Sequence, residues 1–309
     1  MDKAVATLAE RVSAMEAELT ELRAFRRRVV VEQWTQARST LLERASALTA
    51  ADVADHVASA IGRATIHTDP MPHLVVEDVL PPFVYDVIAG AIPPSEGFPE
   101  RDPIKTDIEM STLDTGPMVT ARAWRFFDET VVGTLVAPLV FERLRESVVA
   151  HYAAFGGESF GRQAASNHHR SFAGRIQLRR PGYHLGPHLD PKRVVITGLF
   201  YFPRPGDGEA YGTQLFSVEG TTDAPTMSTF FPESAGATCR LVKTVPYRAN
   251  SLLAFVNSTG AHGATLPPDA LLGERYSYQF YVKPDDGQLK KLLRTLPPEA
   301  QASWQEFLR

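Results

Sequence analysis

Apolar residues repeat along this chain with two different periods. Near the start they fall at Val5, Leu8, Val12, Met15, Leu19, Leu22 and Val29, in alternating steps of three and four broken only at Arg26. Glu10, Arg11, Glu16, Glu18 and Glu21 lie outside that seam. A narrow apolar stripe with charged flanks is a heptad pattern, here of about three and a half repeats, near the minimum for a coiled coil. It predicts a coiled-coil-like helix over 1–31. That helix either pairs with copies of itself or packs on the rest of the chain, and its narrow stripe favours a homo-oligomer. A helical linker is expected over 32–64, with Ser39, Thr49 and Asp52 as cap positions.

A mixed support region follows over 65–170. His73 to Ile88 reads as a strand, a turn and a helix starting near Pro81. Residues 95–125, rich in Pro, Asp and Thr, read as long loops. Val131 to Tyr152 reads as a helix whose buried side is Leu135, Leu139, Phe141, Leu144 and Val148. Phe155 to Arg170 reads as loop, because it holds Gly156, Gly157 and Gly161; His168 and His169 fall there. Over 171–285 the period drops to two. Gly174–Arg180, Arg193–Phe202, Gly212–Ser217, Ser251–Asn257 and Arg275–Val282 are short, β-branched or aromatic, and bounded by turn residues. Such a run without helical period predicts a β-barrel or jelly roll, and a third candidate ligand arriving late from a different strand suits the jelly roll. The fold class is therefore α+β: a double-stranded β-helix core carrying N-terminal helices. Residues 286–309 form a short helical tail, interrupted at Pro297-Pro298.

Composition adds little to this picture. At 309 residues the chain can bury one core domain with additions. A net charge of −4 gives no electrostatic case for nucleic acid or an anionic membrane. The one cysteine, Cys239, cannot form an internal disulfide and suits a reducing compartment. No apolar stretch reaches the ~18 residues of a membrane span, and the first residues lack the shape of a signal peptide. A cytoplasmic enzyme is the expectation.

The candidate chemistry lies in the strand-rich part. Pro181-Gly-Tyr-His-Leu-Gly-Pro-His-Leu-Asp-Pro191 contains His188-x-Asp190. Pro181, Gly182, Gly186 and Pro187 rule out a helix, so His184 and His188 do not form a helical zinc pair. In an extended chain, residues i and i+2 face one side, so His188 and Asp190 can converge on one cation. His262 follows a buried-type strand, between Gly260 and Gly263, whose small size permits close backbone approach. Two imidazoles and one carboxylate on one face of a metal leave the other face open, the donor set of non-haem iron oxygenases. Thirteen residues later, Arg275-Tyr-Ser-Tyr-Gln-Phe-Tyr281 alternates strictly. Tyr276, Tyr278 and Phe280 make one face; Arg275, Ser277 and Gln279 make the other. A polar face turned into a barrel needs a ligand to satisfy it, and a guanidinium fork pairs well with a carboxylate.

Taken together, these residues resemble the Fe(II)/2-oxoglutarate-dependent dioxygenases, in their prolyl-hydroxylase-like branch. The likeness rests on Pro181-Gly182 ahead of Pro187-His188-x-Asp190, on Leu199-Phe-Tyr-Phe202, on Gly212-Thr-Gln-Leu-Phe216, on His262 and on Arg275-Tyr276. It covers roughly 170–284. By that resemblance His188, Asp190 and His262 ligate Fe(II), and Arg275 binds the far carboxylate of 2-oxoglutarate, helped by Tyr201 and by Ser277. O2 is the co-substrate, succinate and CO2 are released, and an organic substrate is hydroxylated at an unactivated C–H bond. One departure is visible: the branch often has a Tyr just before Pro-Gly, where this chain has Arg179 and Arg180. Asp190 retains its carboxylate, so the family's halogenase variant is not indicated. Loops 95–125, 203–211 and 218–238 are the expected substrate-facing edges. Two other readings stand beside this one: a cupin-type metal enzyme that does not use 2-oxoglutarate, and a non-catalytic oligomeric scaffold.

Overall fold

Antiparallel pairing dominates the second half of the chain. The computed structural model describes residues 2–99, 102–115, 120–222, 227–270 and 273–309. Among these, the strands in chain order are β1 (Ile66–His67), β2 (His73–Val76), β3 (Lys105–Glu109), β4 (His169–Arg179), β5 (His184–His188) and β6 (Ile196–Tyr201). They continue as β7 (Gln214–Glu219), β8 (Thr238–Thr244), β9 (Ser251–Val256), β10 (Gly260–Thr265) and β11 (Arg275–Pro284). The larger sheet has the order β1-β2-β9-β6-β11-β4-β3 and the smaller β5-β10-β7-β8. From β4 onward the chain winds back and forth between the two sheets, which makes a jelly roll.

Side-chain parity explains the layers. On β11, Tyr276, Tyr278 and Phe280 point away from the barrel into a large apolar cluster shared with the helices. Trp124 stacks on Tyr278 at 5.8 Å between ring centroids, and Phe127 meets Tyr278 and Phe200 edge-on at 5.0 Å. Both Trp124 and Phe127 are fully buried, so Trp124→Ala is expected to cost about 3–5 kcal/mol. On the neighbouring strand β6, a Cβ at Gly198 would overlap the Phe280 ring, which is why only glycine fits there. Leu199 and Tyr201 face the other way, into a smaller cluster with Tyr183, Leu215, Tyr247, Leu253 and Phe255. The barrel is thus apolar outside, against the helices, and mixed inside.

Several elements differ from the sequence reading. Residues 95–125 are not all loop: β3 pairs with β4, from Lys105 opposite Arg179 to Glu109 opposite Arg175. Phe155–Arg170 is not all loop: within Arg145–Ser166 one helix breaks at Gly157, where φ is +81° and ψ 174°, and a second helix follows. Gly157 takes that positive φ without strain, and apolar residues on both sides of the break stay buried, as Tyr152 and Phe160 do here. The preceding helix buries Val131, Val132, Val136 and Val140, while Leu135 and Leu139 are only partly covered. The cause is winding: Phe126–Val136 is π-helical, so its repeat is longer than the 3.6 residues the periodicity assumed. The His73–Ile88 expectation holds, with β2 followed by a helix over Pro82–Gly90. At the end of the chain, short helices run over Asp286–Leu293 and Pro298–Gln301.

The N-terminal helix spans Asp2–Gln36. Every residue from 5 to 26 is exposed, and partial burial begins at Arg27. The helix therefore projects from the body and does not lie along it.

Candidate metal centre

His188 ends β5 and sits opposite His262 on β10 in the strand register. Their ring centroids are 4.1 Å apart. Asp190 lies two residues on, with Oδ2 3.5 Å from His262 Nε2. One donor atom from each of the three residues falls within 4.8 Å of the others, and no other such cluster occurs among the described residues. All three are buried, at 4%, 3% and 5% exposure for His188, Asp190 and His262. The sequence placed His262 after a strand; it stands on a further strand of its own, β10. The glycines beside it do serve close approach, since a Cβ on Gly263 would lie 2.6 Å from the Leu185 carbonyl of β5.

Neighbouring groups fix the donors. His188 Nδ1 donates to the Gly186 carbonyl at 2.9 Å, which leaves Nε2 with a free lone pair. Burial and the adjacent His188 push His262 down to about 3, so its ring is neutral and able to ligate. Each oxygen of Asp190 accepts one hydroxyl: Oδ2 from Thr197 at 2.6 Å and Oδ1 from Tyr281 at 2.8 Å. Burial, together with the Asp190 charge, raises the Tyr281 pKa well above its ordinary value, so the phenol remains a donor. Asn257 pins the backbone of this turn. It accepts from the Asp190 N–H at 3.1 Å and donates to the Asp190 carbonyl at 2.9 Å.

The opposite end of the same barrel holds a cation. Arg275 is 3% exposed. Its Nε donates to the Tyr211 carbonyl at 2.6 Å, and one terminal nitrogen lies 3.5 Å from Ser277 Oγ. The guanidinium sits over the rings of Tyr201 and Tyr247, at 5.4 Å and 5.2 Å. Among the described residues no carboxylate pairs with it. Tyr201 directs its hydroxyl to Thr213 Oγ1 at 2.7 Å. Ser277 donates to Gln177 at 3.0 Å. Arg275, Tyr201 and Ser277 are therefore brought together, and His188, Asp190 and His262 are brought together.

A polar ladder joins the two ends. Arg175 donates to Tyr281 and to Gln279, both at 2.9 Å, and Gln177 donates to Gln279 at 2.9 Å. Sequence reasoning singled out none of Arg175, Gln177, Tyr281, Thr197 or Asn257 for a role. Parity could have found two of them: Tyr281 continues the face of Arg275, Ser277 and Gln279, and Thr197 shares the face of Leu199 and Tyr201. The Arg179 departure is also accounted for. Arg179 pairs with Asp107 of β3 at 2.6 Å and stacks on Tyr183, so its charge is neutralised.

The loops sort by end. Residues 203–211 follow β6 at the Arg275 end, as the Tyr211 contact shows, and so lie away from the triad. The β7–β8 connection comes to the triad end, where Phe230 and Leu189 exchange backbone hydrogen bonds of 2.8 Å and 3.0 Å. A cavity of about 650 Å³ includes Leu189 and Asp190 in its wall, beside His151, Phe155, Lys192 and Asn257. That volume lies within the range of small-molecule sites. His184 points to Thr265 and His169 stacks on Phe141, so neither joins the triad.

No family model and no curated protein matches this sequence. Solved structures do. The chain is similar to a Pseudomonas putida prolyl-4-hydroxylase, with 14% identity, a TM-score of 0.36, and coverage of 74% of this chain and 99% of that one. It is also similar to the epimerase SnoN from nogalamycin biosynthesis, whose structure was determined with Fe3+, alpha-ketoglutarate and nogalamycin RO. For that complex identity is 14% and TM-score 0.39, over 74% of this chain and 83% of that one. HygX from Streptomyces hygroscopicus, with nickel, 2-oxoglutarate and hygromycin B bound, aligns at 14% identity and a TM-score of 0.35, covering 69% and 82%. The chemistry of this chain is read from its own residues.

Proposed function

We propose that this chain is an Fe(II)- and 2-oxoglutarate-dependent oxygenase of the prolyl-hydroxylase-like branch. It uses O2 to hydroxylate an unactivated C–H bond of an organic substrate, releasing succinate and CO2. The observation that carries this reading is a pair of uncompensated groups in one barrel. Among the described residues, a buried carboxylate hydrogen-bonded only by two hydroxyls converges with two imidazoles, while a buried guanidinium faces aromatic rings with no carboxylate partner. Burying an unpaired charge costs several kcal/mol, so both ends suit bound ligands.

The residues fit this assignment. Two nitrogen donors and one oxygen donor leave half of an octahedral shell open, which suits Fe(II) and a chelating co-substrate. Bound there, Fe(II) supplies the redox chemistry that couples decarboxylation of 2-oxoglutarate to oxidation of the substrate. Thr197 and Tyr281 hold the Asp190 carboxylate in place; Gly186 fixes the tautomer of His188. Arg275 takes the distal carboxylate, with Ser277 beside it and the Tyr201 and Tyr247 rings shielding the ion pair from water. The cavity that includes Asp190 in its wall receives the organic substrate. The chain is further proposed to be a cytoplasmic homo-oligomer assembled through its N-terminal helix.

Succinate release under aerobic conditions with Fe(II) tests the reading. Arg275→Ala should lose 2-oxoglutarate turnover while still taking up metal. Unchanged succinate release in that variant would contradict the co-substrate assignment and favour a cupin-type enzyme. Absence of any metal uptake by the wild-type chain would favour a scaffold.

A further inference from the structure

The N-terminal helix presents a surface with nothing on it. Val5, Leu8, Val12, Met15, Leu19 and Leu22 are 46–67% exposed, and Phe25 is 57% exposed. Single exposed apolar residues are ordinary; seven along one helix are an interaction surface. The steps place Val5, Val12 and Leu19 at position a, and Leu8, Met15 and Leu22 at position d. Arg26 would be the next a residue. It leaves the seam instead, pairing with Glu96 of its own body at 3.2 Å. The free seam therefore ends where the helix meets the body, after about 30 Å of helix at ~1.5 Å per residue.

From this surface we infer that the occupant is a second copy of this chain, in a parallel, in-register, two-stranded coiled coil over residues 5–25. Charge decides the partner. Position g holds Arg11 and Glu18, and position e holds Glu16 and Arg23. In a parallel pair, each g residue faces the e residue five positions on in the other chain. Arg11 then meets the second copy's Glu16, and Glu18 meets its Arg23, so all four contacts across the dimer are attractive. Position types decide the orientation. Valine at two of three a positions with leucine at two of three d positions favours two parallel strands. Parallel pairing sets both barrels at the same end of the coil. Among the described residues, no contact joins this helix to the metal centre, so the inference stands or falls apart from the iron chemistry.

Light scattering on the full chain, with circular dichroism to verify folding, tests this surface. The wild type should have twice the chain mass at micromolar concentration. Glu16→Arg should set Arg11 against the new arginine and shift the mass toward a single chain. Arg11→Glu combined with Glu16→Arg should restore the dimer. An antiparallel pair with the same seam overlapped predicts otherwise, because Arg11 would then face Glu18 while Glu16 would face Ala9, so Glu16→Arg alone would leave the mass unchanged and the double variant would be worse than the single. In a Cys239→Ser background, Val12→Cys should cross-link to itself on oxidation. A wild type of single-chain mass, a larger assembly, failure of the double variant to recover, or no cross-link through the introduced thiol would each overturn the assignment.

Discussion

The two ends of the barrel carry opposite needs. At one end Asp190, His188 and His262 form an acceptor-rich, buried cluster that calls for a cation. At the other, Arg275 is a buried cation that calls for an anion. They do not satisfy each other. Arg275 leans on the Tyr211 carbonyl and two aromatic rings, while Asp190 takes its hydrogen bonds from the hydroxyls of Thr197 and Tyr281. Keeping two complementary charges apart in one barrel is costly unless something spans the gap. A metal at the first end and a dicarboxylate reaching the second would do so. The hydrogen-bonding ladder of Arg175, Gln177 and Gln279 runs between the two ends.

Removing either end should break this division in a distinguishable way. The largest effect is expected from His262→Ala or Asp190→Ala, which should abolish stoichiometric Fe(II) binding and reduce succinate release to background. Next is Arg275→Ala. Losing a buried, charged partner is worth about 2–5 kcal/mol, so 2-oxoglutarate affinity should fall by about 30-fold or more while metal affinity is kept. Calorimetric titration of each ligand separates these two outcomes, and equal loss of both would erase the distinction between the ends. Tyr281→Phe and Thr197→Val come third. Each removes one hydroxyl from Asp190, and metal affinity should drop by about 10- to 100-fold with little change at Arg275.

The smallest effect concerns pH. Burial lowers His151 and His169 to about 4 and His262 to about 3. These rings stay neutral in the folded chain, whereas in the unfolded chain they protonate near the ordinary ~6.5. The unfolded state therefore takes up more protons as pH falls, and their contribution to stability is whole above ~6.5 and declines toward pH 4. The melting temperature of the metal-free chain should fall across that window. A flat profile would mean that the histidines are not held neutral.

The sequence was most readable where a strand has one apolar and one polar face. On β11 the alternation from Arg275 to Phe280 placed the aromatic residues against the helices and the polar ones in the barrel, as the structure has them. It was least readable where small residues mask the period. Gly260-Ala-His-Gly-Ala264 carries no hydrophobic signal, yet it is β10, because its neighbours β5 and β7 supply the pairing. β3 was hidden in a Pro- and Asp-rich stretch, and its pairing depends on β4 being there to receive it. The ligand spacing could be read because i and i+2 share a side on any extended chain. The hydroxyls that hold Asp190 could not, since Thr197 and Tyr281 reach it from two distant strands.

The most direct measurement is the visible spectrum of the chain with Fe(II) and 2-oxoglutarate under anaerobic conditions. A weak charge-transfer band of the iron–keto-acid chelate should appear for the wild type, vanish in His262→Ala, and require far more 2-oxoglutarate in Arg275→Ala. A wild-type chain that binds Fe(II) yet shows no band at saturating 2-oxoglutarate would contradict the account.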